Sequence, residues 1–312
     1  MLTTMNEVLK IAEARNIAVG AFDTPNLENM FAVVKTAEKY NVPVILMYIP
    51  LLEDVAPVEF MAPVMVAVAR NAKVPVAVHL DHCSDLECLK RCLELGFTSV
   101  MYDGSELSYE ENVRNTKIAV EYARRYGADV EAEIGIMGGR EAGGANVGSI
   151  KPEDMYTDPE DAKRFVEETK IDALAASFGT AHGFYTVAPK LDFARIEKIK
   201  SLVKIPLVMH GGSGVNAEDY VKAIHCGIRK INYYSYMGKA GVDGVKSCLE
   251  KHNGEVAFYH EIAAAATEKM QENVEKRASR IDIWYESPAV KLLQDEKTGI
   301  VHGMVVKSEG RD

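Results

Sequence analysis

Eight short apolar runs, each followed by a longer stretch with helical periodicity, constrain this chain more than any other feature. They lie at 18–22, 42–48, 74–79, 99–103, 129–134, 173–178, 205–210 and 230–234, with helical stretches such as 26–40, 109–126 and 158–169 between them. Short apolar runs alternating with helices are the signature of βα units around a parallel sheet, whose strands are buried on both faces. Eight such units fit a closed (β/α)8 TIM barrel of the usual size, about 250 residues. A doubly wound open sheet more often has a glycine-rich turn after its first strand, and Gly20-Ala21-Phe22-Asp23 is not one.

Two helix starts carry local signals: Ser84, before Asp85, as the cap of the third helix, and Asp158 with Pro159 opening the helix at 158–169. One connection is unusually long. Residues 135–148 are too glycine-rich to pack as an element, and they leave from a strand's C-terminal end, so they read as a lid.

Composition narrows the partners. A formal net charge of −10 argues against a nucleic-acid surface or an anionic membrane and still allows a local pocket for a small anion. The five cysteines (Cys83, Cys88, Cys92, Cys226 and Cys248) are odd in number and lack paired spacing, which speaks for a reducing compartment rather than a disulfide framework. Cys88 and Cys92, one helical turn apart, read as half-buried helix positions. The first seven residues do not form a signal peptide, and no apolar run approaches the roughly 18 residues of a membrane span. A cytoplasmic protein is expected.

A barrel enzyme gathers its reactive groups at the C-terminal ends of several strands. Here the third strand ends in Asp81 and His82, the fourth in Asp103, the fifth carries Glu131 and Glu133, His182 follows the sixth, and His210 ends the seventh. Three histidines at one rim suit Zn2+ acting as a Lewis acid, with carboxylates free for proton transfer. Side chains alternate along a strand, so His79 and Asp81 point the same way and His82 turns only where the strand ends. His79 is therefore read as support or barrel lining. After His210 comes Gly211-Gly212-Ser213-Gly214 and then a helix opening at Asn216, a pattern whose backbone amides can cradle an anion. Asn232 and Ser235 stand where they could close that cradle.

These residues carry a resemblance. Val78-His79-Leu80-Asp81-His82, Met101-Tyr102-Asp103-Gly104-Ser105, Val130-Glu131-Ala132-Glu133, Gly179-Thr180-Ala181-His182-Gly183, His210 to Gly214 and Lys230-Ile231-Asn232 are similar to the motifs of class II, metal-dependent ketose-bisphosphate aldolases of the fructose- or tagatose-bisphosphate type. The resemblance implies reversible cleavage of a phosphorylated ketose to dihydroxyacetone phosphate and an aldehyde through a zinc-stabilised enediolate. It implies zinc on His82, His182 and His210, with Glu133 and Asp103 supporting the metal, a second metal position or a monovalent cation. Asp81 and the lid residue Glu141 become the proton-transfer groups. Gly183, Gly211, Ser213, Asn232 and Ser235 hold the phosphate end of a small-molecule sugar phosphate, and a homodimer or homotetramer is expected.

The chain departs from the family pattern where Met47 and Ile49 replace a usual Gln and Ser, where Asp23 replaces a usual Asn, and after Asn232, where Tyr233-Tyr234-Ser235 stands in place of the more typical Ile or Asp and Thr. The metal and proton-transfer residues are retained while the substrate end is altered. The alternative is a divergent or inactive barrel that acts on or binds a different sugar phosphate. Residues 1–278 are read as the barrel. Residues 279–312 read as strand, turn and strand, a hairpin-like extension of unknown role, similar to a segment of flavin-dependent reductases but lacking a flavin fingerprint.

Overall fold

The computed structural model describes residues 1–135, 156–185, 188–280, 289–294 and 301–306. Its first half runs α1 (Met5–Arg15), β1 (Val19–Asp23), α2 (Leu27–Tyr40), β2 (Val44–Tyr48), α3 (Val58–Asn71), β3 (Val76–Cys83), α4 (Leu86–Glu94), β4 (Ser99–Tyr102), α5 (Tyr109–Arg125) and β5 (Asp129–Ile134). The second half continues α6 (Pro159–Thr169), β6 (Ala173–Ala176), α7 (Phe193–Val203), β7 (Leu207–Met209), α8 (Ala217–Cys226), β8 (Ile228–Tyr233), α9 (Ser235–His252) and α10 (Tyr259–Arg280). Strands β1 to β8 pair in chain order, each parallel to the next, and β8 closes on β1. The chain is a (β/α)8 TIM barrel.

Closure puts alternate residues of each strand inside. Val19, Ala21, Ile45, Met47, Ala77, Ala173, Ala175 and Val208 form an interior cluster that continues into Met5, Val8, Leu9 and Ala12 of α1. That helix, unassigned in the sequence reading, packs its apolar side into the same cluster; Thr4 caps its start by accepting from the Glu7 N–H. The opposite side chains of the strands meet the outer helices in a second, larger core.

The strand boundaries agree with the apolar runs to within a few residues except at β3. It continues through Leu80, Asp81, His82 and Cys83, beyond the last apolar residue of its run. The expected cap at Ser84 falls instead to Asp85, which accepts from the Glu87 N–H. Asp158 caps α6 with Pro159 in its first turn, as the sequence suggests. In the tail, β9 (Ala289–Gln294) and β10 (Val301–Val306) pair antiparallel. The lid segment 136–148, including Glu141, lies outside the described residues.

Candidate metal centre

The end of β3 aims its histidines by backbone geometry. His79 and Asp81 face the interior, both fully buried. His82 has the left-handed φ of 45°, and pairing with β4 is irregular between Leu80 and Cys83. Among the described residues, the other non-glycine ones with a left-handed φ, Asn16, Asn41, Lys170, Lys204 and Asn253, all end helices, whereas His82 lies within a strand. The twist brings the His82 ring to the barrel mouth, where its Nε2 lies 3.1 Å from His182 Nε2 and 2.8 Å from His210 Nδ1.

Two partners decide which nitrogens converge. A carboxylate only accepts, so the ring nitrogen facing it carries the proton. His82 Nδ1 faces Asp103 Oδ2 at 2.8 Å, and His210 Nε2 faces Glu131 Oε1 at 2.8 Å. In the neutral form that ligates a metal, both rings would turn an unprotonated nitrogen toward the shared point, the arrangement in which outer carboxylates orient metal-ligating imidazoles. Asp103 is itself fixed by the Ser105 N–H and hydroxyl, at 3.1 and 2.6 Å. Burial opposes the charge on Asp103, but its bond to His82 and the charge there hold its carboxyl well below the usual range.

The electrostatics call for a cation. Burial works against charge on His82, yet Asp81, Asp103 and Glu133 outweigh it and push the imidazole up to about 10. His182 and His210 are held far below the ordinary histidine range, first by burial and then by the charge on His82. Burial, followed by the Asp103 charge, pushes the Glu133 carboxyl well above its usual value. Glu133 Oε2 is buried without a hydrogen-bond partner among the described residues and lies 4.0 Å from His210 Nδ1.

Among the described residues three groups could hold an ion: His82 with His182 and His210; His82 with Asp103 and Glu133, sharing His82 with the first; and, separately, His79 with Asp81 and Glu131. The first group fits zinc best. Nitrogen separations of 2.8 and 3.1 Å approach the edge of about 3.3 Å in a tetrahedron of roughly 2.05 Å zinc–nitrogen bonds.

Asp81 lies beside this centre, accepting from Asn232 Nδ2 at 3.0 and 3.2 Å. Asn232 is thus placed on Asp81, and its Nδ2 also approaches His210 Nε2 at 3.4 Å. The buried network extends inward: Glu131 Oε2 pairs with Lys230 Nζ at 2.8 Å, an ion pair too far off-line to count as a hydrogen bond. His79 lines the barrel, bonded through Nδ1 to Ser99 Oγ at 2.8 Å.

The glycine-rich turn expected to cradle an anion is built at the next two loops. Gly211 has a φ of 64°, and a Cβ there would lie 2.3 Å from the Ala181 carbonyl oxygen, so the loops carrying His182 and His210 meet only because the residue is glycine. Tyr185 joins the same loops, its hydroxyl accepting from the Ala181 N–H at 2.7 Å and donating to the Gly211 carbonyl at 2.9 Å. Gly183 follows His182 with a φ of 91°. Ser213 sits in a 3-10 turn, Gly212–Gly214, and its Oγ accepts from the Tyr234 N–H at 3.1 Å. The sequence reading gave this turn the N-terminus of α8, but Asn216 already caps that helix by accepting from the Asp219 N–H. The start of α9 at Ser235 has no side-chain cap, and the Tyr234 N–H just before it is the one that reaches the turn.

The sequence reading left Glu131, Lys230 and Tyr185 without a role. The first two did carry a signal, a carboxylate and a lysine inside otherwise apolar strands. Met47 and Ile49 are both buried; Ile49 lines a small apolar cavity with Thr24, Leu52 and Ala56.

Comparison with known proteins agrees with this geometry. Residues 3–282 match the family model "Fructose-bisphosphate aldolase class-II". The chain is 37% identical over 270 residues to a sulfofructosephosphate aldolase of Alkalicoccus urumqiensis, spanning 86% of this chain and 93% of that protein. Among solved structures it is similar to the YdjI aldolase of Escherichia coli K12, at a TM-score of 0.78 and 30% identity, over 90% of this chain and 98% of that one. The fructose-bisphosphate aldolase of Campylobacter jejuni, at 23% identity and a TM-score of 0.75 over 90% of this chain and 96% of its own, shares the fold. Class II aldolases are metal-dependent, and this chain, a lyase, belongs to the class II fructose-bisphosphate aldolase family.

Proposed function

We propose that the protein is a zinc-dependent aldolase that reversibly cleaves a phosphorylated ketose to dihydroxyacetone phosphate and an aldehyde. The observation that carries this reading is the convergence of His82, His182 and His210 beside Asp81. These three histidines would hold the metal, with Glu133 and Asp103 in reserve for a second position. A divalent cation there supplies electrostatic stabilisation for the negative charge that develops on the ketose oxygen.

The chain's own groups account for the rest. Asp81, held by Asn232, takes the proton from the hydroxyl at the bond that breaks. The electrons of that bond pass to the carbonyl, and the aldehyde leaves. Glu141, outside the described residues, is assigned the proton returned to carbon. Gly183, Gly211, Ser213 and Ser235 bind the phosphate with amides and hydroxyls, and Asn232 contributes by fixing Asp81.

The far end of the substrate differs from a second phosphate. Met47 and Ile49 stand where the family has Gln and Ser, so two side-chain hydrogen bonds are missing and the preference shifts away from the family's usual bisphosphates. The relative named for sulfofructosephosphate makes a sulfonated ketose phosphate the first candidate. A soluble cytoplasmic homodimer or homotetramer accords with this role; among the described residues no helix is long and apolar enough to cross a membrane.

The test is a retro-aldol screen of ketose mono- and bisphosphates, sulfofructose 1-phosphate included, scored by triose phosphate release. Activity on at least one compound, abolished by EDTA and restored by Zn2+, is the expected result. Release that survives metal removal overturns the mechanism, and no release from any compound overturns the substrate class.

A further inference from the structure

The glycine turn after β7 is gripped from two sides by tyrosine hydroxyls. Tyr185, on the loop that carries His182, donates to the Gly211 carbonyl at 2.9 Å. Tyr220, buried on α8, donates to the Gly212 carbonyl. The two side chains come from different βα units, and each takes one of two successive carbonyls.

Tyr185 makes the fuller clasp. Its hydroxyl also accepts from the Ala181 N–H at 2.7 Å, so donor and acceptor roles are both used and the group is held from two directions. Burial outweighs that bond and pushes the phenol up to about 12, so at neutral pH it keeps the proton it donates. Its ring lies against Gly214, where a Cβ would overlap Cδ2 and Cε2. Gly212 is confined from the other side: a Cβ there would stand 2.7 Å from Ile231 Cγ2 and 3.1 Å from the Tyr220 hydroxyl.

Holding a carbonyl also aims the amide bonded to it. A trans peptide is planar, and its C=O and N–H point in opposite directions. With the Gly211 carbonyl on Tyr185, the Gly212 N–H is turned the other way. With the Gly212 carbonyl on Tyr220, the same applies to the Ser213 N–H. Tyr220 belongs to the outer core between strands and helices, so the Ser213 N–H is turned away from that core. Glycines leave a backbone free to adopt many other orientations, and the two hydroxyls remove that freedom.

We infer that Tyr185 and Tyr220 are positioning residues for the anion, fixing the Gly211–Gly212 and Gly212–Ser213 peptides so that both N–H groups are presented to a phosphate before it binds. The inference rests on the proposed phosphate end of the substrate and extends it to two residues that touch no substrate atom. Donors ordered in advance spare the ligand the cost of ordering them. Tyr185 adds a link between the two halves of the site, because the Ala181 N–H it holds directly precedes His182.

Calorimetric binding of dihydroxyacetone phosphate to the full-length, zinc-saturated protein tests this. Acetohydroxamate, a metal-binding probe without a phosphate, serves as the control. Tyr185→Phe and Tyr220→Phe keep the rings and remove only the hydroxyls. Each is expected to weaken dihydroxyacetone phosphate binding about tenfold while the affinity for acetohydroxamate stays within about twofold of the unmutated protein. Unchanged dihydroxyacetone phosphate binding in either variant overturns the inference for that tyrosine and leaves the aldolase reading standing. Equal weakening of both probes overturns it as well, since that marks a general disturbance of the barrel mouth. An unmutated protein that binds acetohydroxamate but not dihydroxyacetone phosphate overturns the phosphate reading itself, and the inference with it.

Discussion

The two ends of the barrel interior solve the same packing problem with opposite chemistry. At the end plugged by α1, Val19, Ala21, Ile45 and Ala77 share one apolar cluster with Met5, Val8 and Leu9. Toward the mouth, β3, β5, β8 and the end of β7 bury His79, Asp81, Glu131, Glu133, His210, Lys230 and Asn232, with Lys230 and Asn232 paired in register with Val19 and Ala21. One end is held by area removed from water, about 25 cal/mol per Å2. The other is tolerable only while its charges remain mutually paired, because an uncompensated buried charge costs several kcal/mol. Changes at the lower end should therefore move stability alone, and changes at the upper end should move activity, metal affinity or both.

The largest expected effect is at Asp81. Asp81→Asn keeps the shape and the contact to Asn232 but cannot accept the substrate proton. A fall in kcat of about 10²–10⁴ is expected, with the bound metal retained. Steady-state kinetics alongside metal analysis would check it; a variant that loses metal and activity together would place Asp81 in the ligand set instead.

Lys230 and Leu9 test the contrast directly. Lys230→Met leaves Glu131 buried beside His210 without its counter-charge, and a loss of about 3–5 kcal/mol is expected in urea denaturation. Adding Glu131→Gln to the same chain should recover much of that loss, since the charge it strands is then gone. Leu9→Ala, in the apolar plug, should cost about 2–5 kcal/mol through transfer and cavity terms while kcat stays unchanged. A fall in kcat for Leu9→Ala would break the separation between the two ends.

This separation also explains what could be read from the sequence. The apolar end was legible because burial and apolarity coincide there, so eight runs and their spacing implied eight strands and closure. The polar rim was legible as a list: His82, His182 and His210 stood at strand ends, and the residues around them matched family motifs. Hydrophobic pattern failed where polar residues are buried. β3 runs on through Asp81 and His82, where the pattern signals an end, and the left-handed turn at His82 has no sequence mark. The pairings of Glu131 with His210 and Lys230 join β5 to β7 and β8, so they depend on the closed topology. The same holds for the surroundings of the Gly212–Gly214 turn. The nearest helix in sequence is the one Asn216 already caps, and the open helix start at Ser235 comes from the following unit.

Glu131 alone gives a smaller and more diagnostic effect. Its Oε1 fixes the proton on His210 Nε2 and leaves Nδ1 facing His82. In Glu131→Gln the amide can present either its oxygen or its nitrogen to that ring, and the preference for one tautomer weakens. Zinc affinity is expected to fall about 10–100-fold, measured by chelator competition, with His82, His182 and His210 all still present.

The smallest effect is at the seam between the two ends, where His79 sits level with Met47 in the strand register. His79 is fully buried, and burial first of all holds its imidazole far below the ordinary range, so it stays neutral. Its Nδ1 depends on Ser99 Oγ, and Ser99→Ala leaves that nitrogen unsatisfied in the interior at a cost of about 1–3 kcal/mol. Thermal unfolding should show the loss, while metal content and kcat stay within twofold of the unmutated protein. If Ser99→Ala instead lowered zinc affinity as Glu131→Gln does, His79 would belong to the metal centre, and the boundary between the two ends would lie one layer lower in the barrel.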